Sequence, residues 1–226
     1  MVPEIFPLRL GINTCYVIRQ HGTIMVDGGP PRAVKKISVG LSRISVRPDS
    51  IRLIVLTHGH FDHAGSARDV KALTGALVAI HREDRPDIED SRYRFPPGVT
   101  TWGRLSRAVL EPVIRRRVFI PPVTVDIVLT GEDFPLKDFG IDGCIVSTPG
   151  HTAGSVSVLL DSGEAFVGCM AHSGFPFRVR PGLPIYSDDI HALKQSWRPL
   201  LERGAKVIYP AHGKPFAADV VERFLR

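Results

Sequence analysis

The sequence predicts an α/β chain with two sheet-forming halves, and three observations carry that expectation. Apolar residues alternate between strand-like and helix-like spacing along the chain. Several strand-like runs are continuously apolar, as strands covered on both faces are. No linker, low-complexity stretch or repeat interrupts the 226 residues. A chain of this length buries one substantial core, so residues 1–226 are expected to form a single domain.

Taken in order, TCYVIRQHGTIMVDGG (14–29) predicts a hairpin, with QHG turning between two β-rich runs. PRAVKKISVGLSRI, opened by Pro31, has helical spacing, and IRLIVLT (51–57) is a continuous apolar run typical of a buried strand. A helix over 64–74 and a strand ALVAI (76–80) follow. Residues 82–122 are rich in Arg and Pro, with helical spacing only over 103–114; the segment is either a lid or surface insertion, or a solvated connector. The second half reads mainly as strands: VTVDIVLT, CIVST, SVSVLLD and EAFVGCM, then a helix over 188–203 and a last strand, KVIYP.

Composition excludes several classes. No run reaches the roughly 18 apolar residues of a membrane helix, and MVPEIFPLRL lacks the charged start and apolar middle of a secretory leader, so a cytoplasmic location is expected. Cys15, Cys144 and Cys169 are too few and too odd a set for a disulfide framework, which points to reduced thiols. The net charge of +6 is scattered, with RRR at 115–117 the one tight cluster, and this argues against a nucleic-acid surface.

The chemistry concentrates in VLTHGHFDHAG, where His58, His60, Asp62 and His63 follow a buried strand within six residues. A core has no use for them, whereas imidazoles and a carboxylate are ligands that zinc and similar cations take. One loop supplies too few ligands for a site. STPGHTAGS places His151 after the strand CIVST, and VIYPAHGKP places His212 after KVIYP, which repeats one design of ligands on loops at strand ends.

THGHFDH, TPGHTAGS and YPAHG, in this order and with MVDGG before them, resemble the metallo-β-lactamase superfamily over nearly the whole chain. The resemblance implies a four-layer αββα sandwich, the metallo-β-lactamase fold, with a metal centre at one edge and one or two Zn2+ ions. Iron and manganese are the alternatives. By position, His58, His60 and His151 would hold a first metal, Asp62, His63 and His212 would serve a second, and Asp27 would support the site from behind. Asp62 would also orient a metal-bound hydroxide that attacks a carbonyl.

The departure from that pattern is Cys169. Hydrolytic members usually end this strand with Gly-Asp, whose carboxylate bridges the metals; here it is Gly168-Cys169. In the first subclass of class B β-lactamases a cysteine here is a ligand of the second zinc, yet those enzymes lack the histidine that His63 supplies. Read without the family, Cys169 is a packed thiol at a strand end; read with it, a ligand of the second site. Cys15 and Cys144 read as core. His172 lies where many of those lactamases carry a substrate-binding lysine, and SGFPFRVRPGLP offers Phe175, Phe177 and Arg178 as substrate contacts.

The expected function is therefore a zinc-dependent hydrolase acting on an ester, thioester, lactone or lactam of a small-molecule substrate. A phosphodiesterase or nuclease of the same superfamily is the first alternative, and an iron-dependent dioxygenase-like redox enzyme the second. Cys169 in place of an aspartate counts against the dioxygenase. Only fourteen residues follow His212, too few for the helical domain of glyoxalase II. The sequence names neither the substrate nor the oligomeric state.

Overall fold

Side chains alternate between the two faces of a strand, and in the computed structural model, which describes residues 1–225, that alternation sorts the apolar residues into three layers. The first sheet runs in chain order, β1 (Glu4–Arg9), β2 (Thr14–Arg19), β3 (Thr23–Val26), β4 (Ile51–Val55), β5 (Leu77–His81) and β6 (Ile127–Leu129). Its first two pairings are antiparallel and the other three parallel. The second sheet also follows chain order, β7 (Phe134–Pro135), β8 (Gly143–Ser147), β9 (Val156–Leu160), β10 (Glu164–Ser173), β11 (Val207–Gly213) and β12 (Phe216–Ala217). Only β10 and β11 pair in parallel.

Tyr16, Ile18, Ile24, Leu53 and Val55 point inward from the first sheet and meet Ile145, Val156, Val158 and Phe166 of the second. The alternate residues Cys15, Val17, Met25 and Ile54 face outward, where α1 (Val34–Arg43) and α3 (Ala67–Thr74) cover them with Ile37, Leu41 and Val70. On the other side, Val146, Leu159, Ala165 and Val167 are covered by Leu193, Trp197 and Leu200 of α6 (Ile190–Glu202) and by Val221 of α7 (Asp219–Leu225). The result is a four-layer αββα sandwich. Each large apolar side chain taken fully from water contributes about 1.5–3 kcal/mol, so both faces of both sheets hold the molecule together.

Several boundaries differ from the sequence expectation. The strand β1 was not among the expected elements; Pro7 lacks the N–H a central strand needs, and β1 tolerates it as an edge strand. The helix expected over 64–74 is two, α2 (Phe61–Ala64) and α3, separated by a turn at Gly65–Ser66. In place of a long strand over 123–130, only Ile127–Leu129 pairs, while Val123 and Val125 pack as loop residues under α3. Residues 82–122 contain α4 (Arg85–Glu89) and a helix longer than expected, α5 (Thr101–Arg117).

Two further corrections touch the site. Cys169 does not end its strand: β10 continues to Ser173, with a shift of register around Gly168. Gly168 has φ +51, and a Cβ there would lie 2.6 Å from Thr57 Oγ1, so glycine allows both the bulge and the close approach to the β4 end. Likewise His212 lies within β11, beside His172 of β10, and not in a loop after the strand.

Candidate metal centre

The ends of β4 and β8 meet the bulged part of β10 and the last residues of β11 at one edge of the sandwich, and His58, His60, His63, His151, Cys169 and His212 are buried there. His58 and His60 follow β4, Asp62 and His63 sit on the single turn of α2, His151 follows β8, Cys169 comes from the β10 bulge, and His212 from β11. His63 is fully buried and His58 nearly so, far from the usual place of imidazoles on a protein.

Second contacts fix which ring nitrogen each histidine turns inward. Thr57 Oγ1 donates to Asp27 Oδ1 at 2.8 Å, which leaves it to accept from His58 Nδ1 at 3.1 Å. His63 Nδ1 donates to Asp27 Oδ2 (2.7 Å), His151 Nδ1 to the Tyr186 carbonyl (3.0 Å), and His212 Nδ1 to the Ile12 carbonyl (2.8 Å). All four Nδ1 atoms are thus committed as donors, and all four Nε2 atoms remain for the interior. His60 is reversed, with Nδ1 3.1 Å from His151 Nε2. Asp27 itself is left-handed at φ 65, a costly backbone for a non-glycine residue, and its carboxylate also accepts from the Thr57 amide at 2.8 Å.

The inward atoms form two groups. Ligand atoms of His58, His151 and Cys169 all lie within 4.8 Å of one another, as do those of His63, Cys169 and His212. Cys169 belongs to both. Its Sγ is 3.2 Å from His63 Nε2, while Asp62 Oδ2 is 3.2 Å from His212 Nε2 and 3.6 Å from His63 Nε2. His58 Nε2 is buried without a hydrogen-bond partner. Leaving such an atom unpaired is costly, and a cation at about 2.0–2.3 Å from imidazole nitrogen and thiolate sulfur satisfies it. The residues present fit a metal.

Charge is already balanced for one. Burial raises the Cys169 thiol, but His63, His212 and His151 outweigh it and hold it well below the ordinary value. Burial also opposes charge on Asp62, yet His63 and His212 hold its carboxyl below the usual range. In return, and against burial, Cys169, Asp27 and Asp62 raise His63 well above the ordinary imidazole value, and Cys169 and Asp62 carry His212 to about 10. His60 is pushed down to about 3, chiefly by burial and then by His151, and burial with His63 keeps His58 neutral as well. One half of the site therefore presents neutral imidazoles. The other presents anions whose countercharges are two protons.

A cavity of about 100 Å³ opens onto these atoms. Of the four expected substrate contacts, His172 and Phe177 line it, and the His172 and His212 rings meet edge to face at 5.1 Å. Neither His172 nitrogen has a hydrogen-bond partner, and burial pushes this imidazole down to about 4. Phe175 is 91% exposed, and Arg178 turns aside to donate from Nε to the Leu183 carbonyl; neither lines the cavity. Sequence reasoning missed the rest of the wall: Ile12, Phe61, Arg94, Phe95, Pro96, Leu110, Ile114 and Tyr186. Five of these come from the 82–122 segment, whose backbone bonds to residues 185–187 bring it over the site. It also missed Asp84, fully buried, whose carboxylate accepts from Thr152 Oγ1 and the Gly59 and Gly154 amides and so ties the two histidine loops together.

The chain is similar to known proteins. A family model described as the metallo-beta-lactamase superfamily matches residues 8–212. The probable metallo-hydrolase YflN of Bacillus subtilis is 23% identical over 218 residues, 89% of this chain and 81% of that protein. The uncharacterized protein ML0493 of Mycobacterium leprae is 31% identical over 154 residues, which are 67% of this chain and 63% of the relative. Among solved structures, the metallo-beta-lactamase family protein TTHA1429 of Thermus thermophilus gives a TM-score of 0.68 at 22% identity, covering 98% of this chain and 76% of that one. The BLEG-1 B3 metallo-beta-lactamase also gives 0.68 at 22% identity, covering 96% and 95%. With the fold, the order of its motifs and a family match over nearly its whole length in agreement, this chain belongs to the metallo-beta-lactamase superfamily.

Proposed function

We propose that the protein is a zinc-dependent hydrolase of a small-molecule carbonyl compound: an ester, thioester, lactone or lactam. The observation that carries this reading is the set of four histidines whose Nδ1 atoms are all engaged and whose other ring nitrogens face Cys169, with Asp62 beside those of His63 and His212. His58 Nε2, His60 Nδ1 and His151 Nε2 would hold one cation, and Asp62, His63 and His212 the other. Cys169, within reach of both groups, would complete them; its soft sulfur favours zinc over a hard cation such as magnesium. When bound, such cations supply a Lewis acid for a carbonyl oxygen and acidify a water to a pKa of about 7.

The chain's own residues supply the remainder. Asp62 Oδ2 is the acceptor that would orient the proton of an attacking water, and Asp27 keeps His63 turned toward it. Phe61, Phe95 and Phe177 would exclude bulk water from the reacting carbonyl, and His172 would donate to or accept from the substrate. No nucleophilic serine is required. Three free cysteines suit a reducing compartment, which supports a cytoplasmic setting. No helix among the described residues is long and apolar enough to cross a membrane.

Elemental analysis of purified protein, paired with a screen of thioesters, esters, lactones, β-lactams and phosphodiesters, tests the reading. Zinc in the protein and chelator-sensitive turnover of an acyl substrate are expected. Turnover of phosphodiesters alone, or iron with oxygen consumption, would replace it.

A further inference from the structure

The metal cavity, at about 100 Å³, is too small for a whole substrate, since ligand pockets run to about 300–1,000 Å³. The remainder of any acyl substrate must lie outside it. A second groove of about 410 Å³ begins where the cavity ends, and Leu110, Phe177 and Tyr186 line both. It runs between α5 and the segment 176–186, over Trp102, Leu105 and Val109.

These α5 residues are largely exposed. Trp102, Leu105, Val109 and Val113 recur at spacings of three and four, which places them on one face of the helix, and they are 55%, 61%, 71% and 48% exposed. The groove is nonetheless built. Thr100 caps α5 by accepting from the Gly103 amide, and a Cβ on Gly103 would lie 2.1 Å from the Ile185 carbonyl, so the helix start sits directly on the groove floor. Trp102 Nε1 donates to the Pro176 carbonyl at 3.3 Å, holding the ring across the channel. The lining hydroxyls, Ser106 and Tyr186, bond to each other at 2.6 Å and ask nothing of a ligand.

We propose that this groove binds the apolar acyl chain of the substrate, so that the enzyme hydrolyses medium- or long-chain acyl esters or thioesters. The proposal rests on the hydrolase reading above and deepens it. Continuity with the cavity selects this occupant: a chain lying along Trp102 and Val109 and passing Phe177 and Leu110 delivers its carbonyl carbon to the metal ligands. In the reaction the acyl C–O or C–S bond breaks and a C–O bond to water's oxygen forms. One water proton goes to the leaving alkoxide or thiolate, giving an alcohol or thiol, and the other passes to solvent as the acid is released as carboxylate.

Two measurements on the zinc-loaded 226-residue chain test this. The first is kcat/KM across acetyl, butyryl, hexanoyl, octanoyl and decanoyl p-nitrophenyl esters and the matching thioesters. The second is binding of butanol through decanol, followed by the emission of Trp102, the exposed member of the two tryptophans, Trp197 being buried. Alkanols carry no bond to hydrolyse, so this readout does not depend on turnover. Both kcat/KM and alkanol affinity are expected to rise about two- to fourfold per methylene until the groove is filled. Val109→Asp and Leu105→Glu, both at exposed helix positions, are expected to cut decanol affinity and the decanoyl-to-acetyl ratio of kcat/KM about tenfold by placing a charge in the channel.

Chain-length-independent kinetics with an unchanged Trp102 emission would overturn the proposal. So would a dimer by light scattering that Val109→Asp converts to monomer, since a second copy would then cover the face. Graded alkanol binding without turnover of any ester, thioester, lactone or lactam supports the apolar groove and sinks the hydrolase reading, whereas lactam turnover with no ester or thioester turnover keeps the hydrolase reading and overturns the acyl-chain proposal.

Discussion

Asp27 and Cys169 show how single side chains set the chemistry of the edge. Asp27 accepts from His63 Nδ1 and from Thr57, and thereby turns His63 Nε2 toward Cys169 Sγ at 3.2 Å. Removing such an outer contact typically costs 10–100-fold in metal affinity, so Asp27→Asn should weaken the metal held by His63 by about that factor, with little change at the His58–His60–His151 group; stepwise zinc titration with a chromophoric chelator reads both. Cys169 contributes to both groups, so Cys169→Ala should lower total zinc content, whereas Cys169→Asp should restore two ions, as counted by elemental analysis. Retention of two tightly held zincs by the alanine variant would show the thiol to be packing only. The pH dependence has a definite sign. His63 is raised and His212 is carried to about 10 by Cys169 and Asp62, acting against burial, so both hold protons at neutral pH that a metal must displace. Metal affinity should therefore rise with pH from neutrality toward 10, with about two protons released on filling the His63–His212 group; calorimetry in buffers of different ionisation enthalpy counts them. The motif histidines and Asp62 were legible in sequence because four polar ligands after a buried strand have no use in a core. Asp84 was not, since an isolated aspartate in an Arg-rich stretch looks like surface.

Elements place these side chains, and the informative failures of the sequence reading are at their ends. Gly168 marks a bulge instead of a terminus: β10 bends past Thr57, presents Cys169 to the site, and continues far enough for His172 to pair with His212. A continuous apolar strand and one interrupted by a bulge have the same composition, so only the pairing with β11 distinguishes them. Gly168→Ala should put a Cβ 2.6 Å from Thr57 Oγ1 at a left-handed backbone and destabilise the fold by about 1–3 kcal/mol. Its melting temperature and zinc content should fall together. The helix α5 was recognised in its middle but its extent and role were not. Its mean pattern is polar and basic, and the apolar stripe of Trp102, Leu105, Val109 and Val113 acquires meaning only beside segment 176–186. Phe177 and Phe175 are equivalent by sequence, yet one lines the cavity and the other faces solvent.

At the scale of the whole molecule, three apolar layers hold two sheets that carry the candidate ligands, so binding of a metal there would be thermodynamically linked to folding. A ligand bound only by the folded state, present at 1,000 times its Kd, adds about 4 kcal/mol, and each kcal/mol shifts the melting temperature of a chain this size by about 2–4 °C. Chelation should thus lower the melting temperature by roughly 10 °C, measured by differential scanning fluorimetry with and without EDTA. An unchanged melting temperature would mean that the site is filled too weakly to matter.

The α/β class, most of the strands, and the cluster of His58, His60, Asp62 and His63 as candidate ligands were legible in local sequence, whereas Asp27 entered only through the family resemblance. Periodicity of two and continuous apolar runs specify faces of a sheet, and clustered ligands conflict with every other use. Tertiary structure alone decided that Cys169 is shared by both ligand groups, that Asp84 ties the loops, and that α5 and segment 176–186 form an apolar channel into the site. Those three depend on which distant backbones touch: the ends of β4 and β10, the loops around Gly59 and Gly154, and the contact between Gly103 and Ile185. No local pattern encodes such contacts, because each is set by the packing of sheets and helices far apart in the chain.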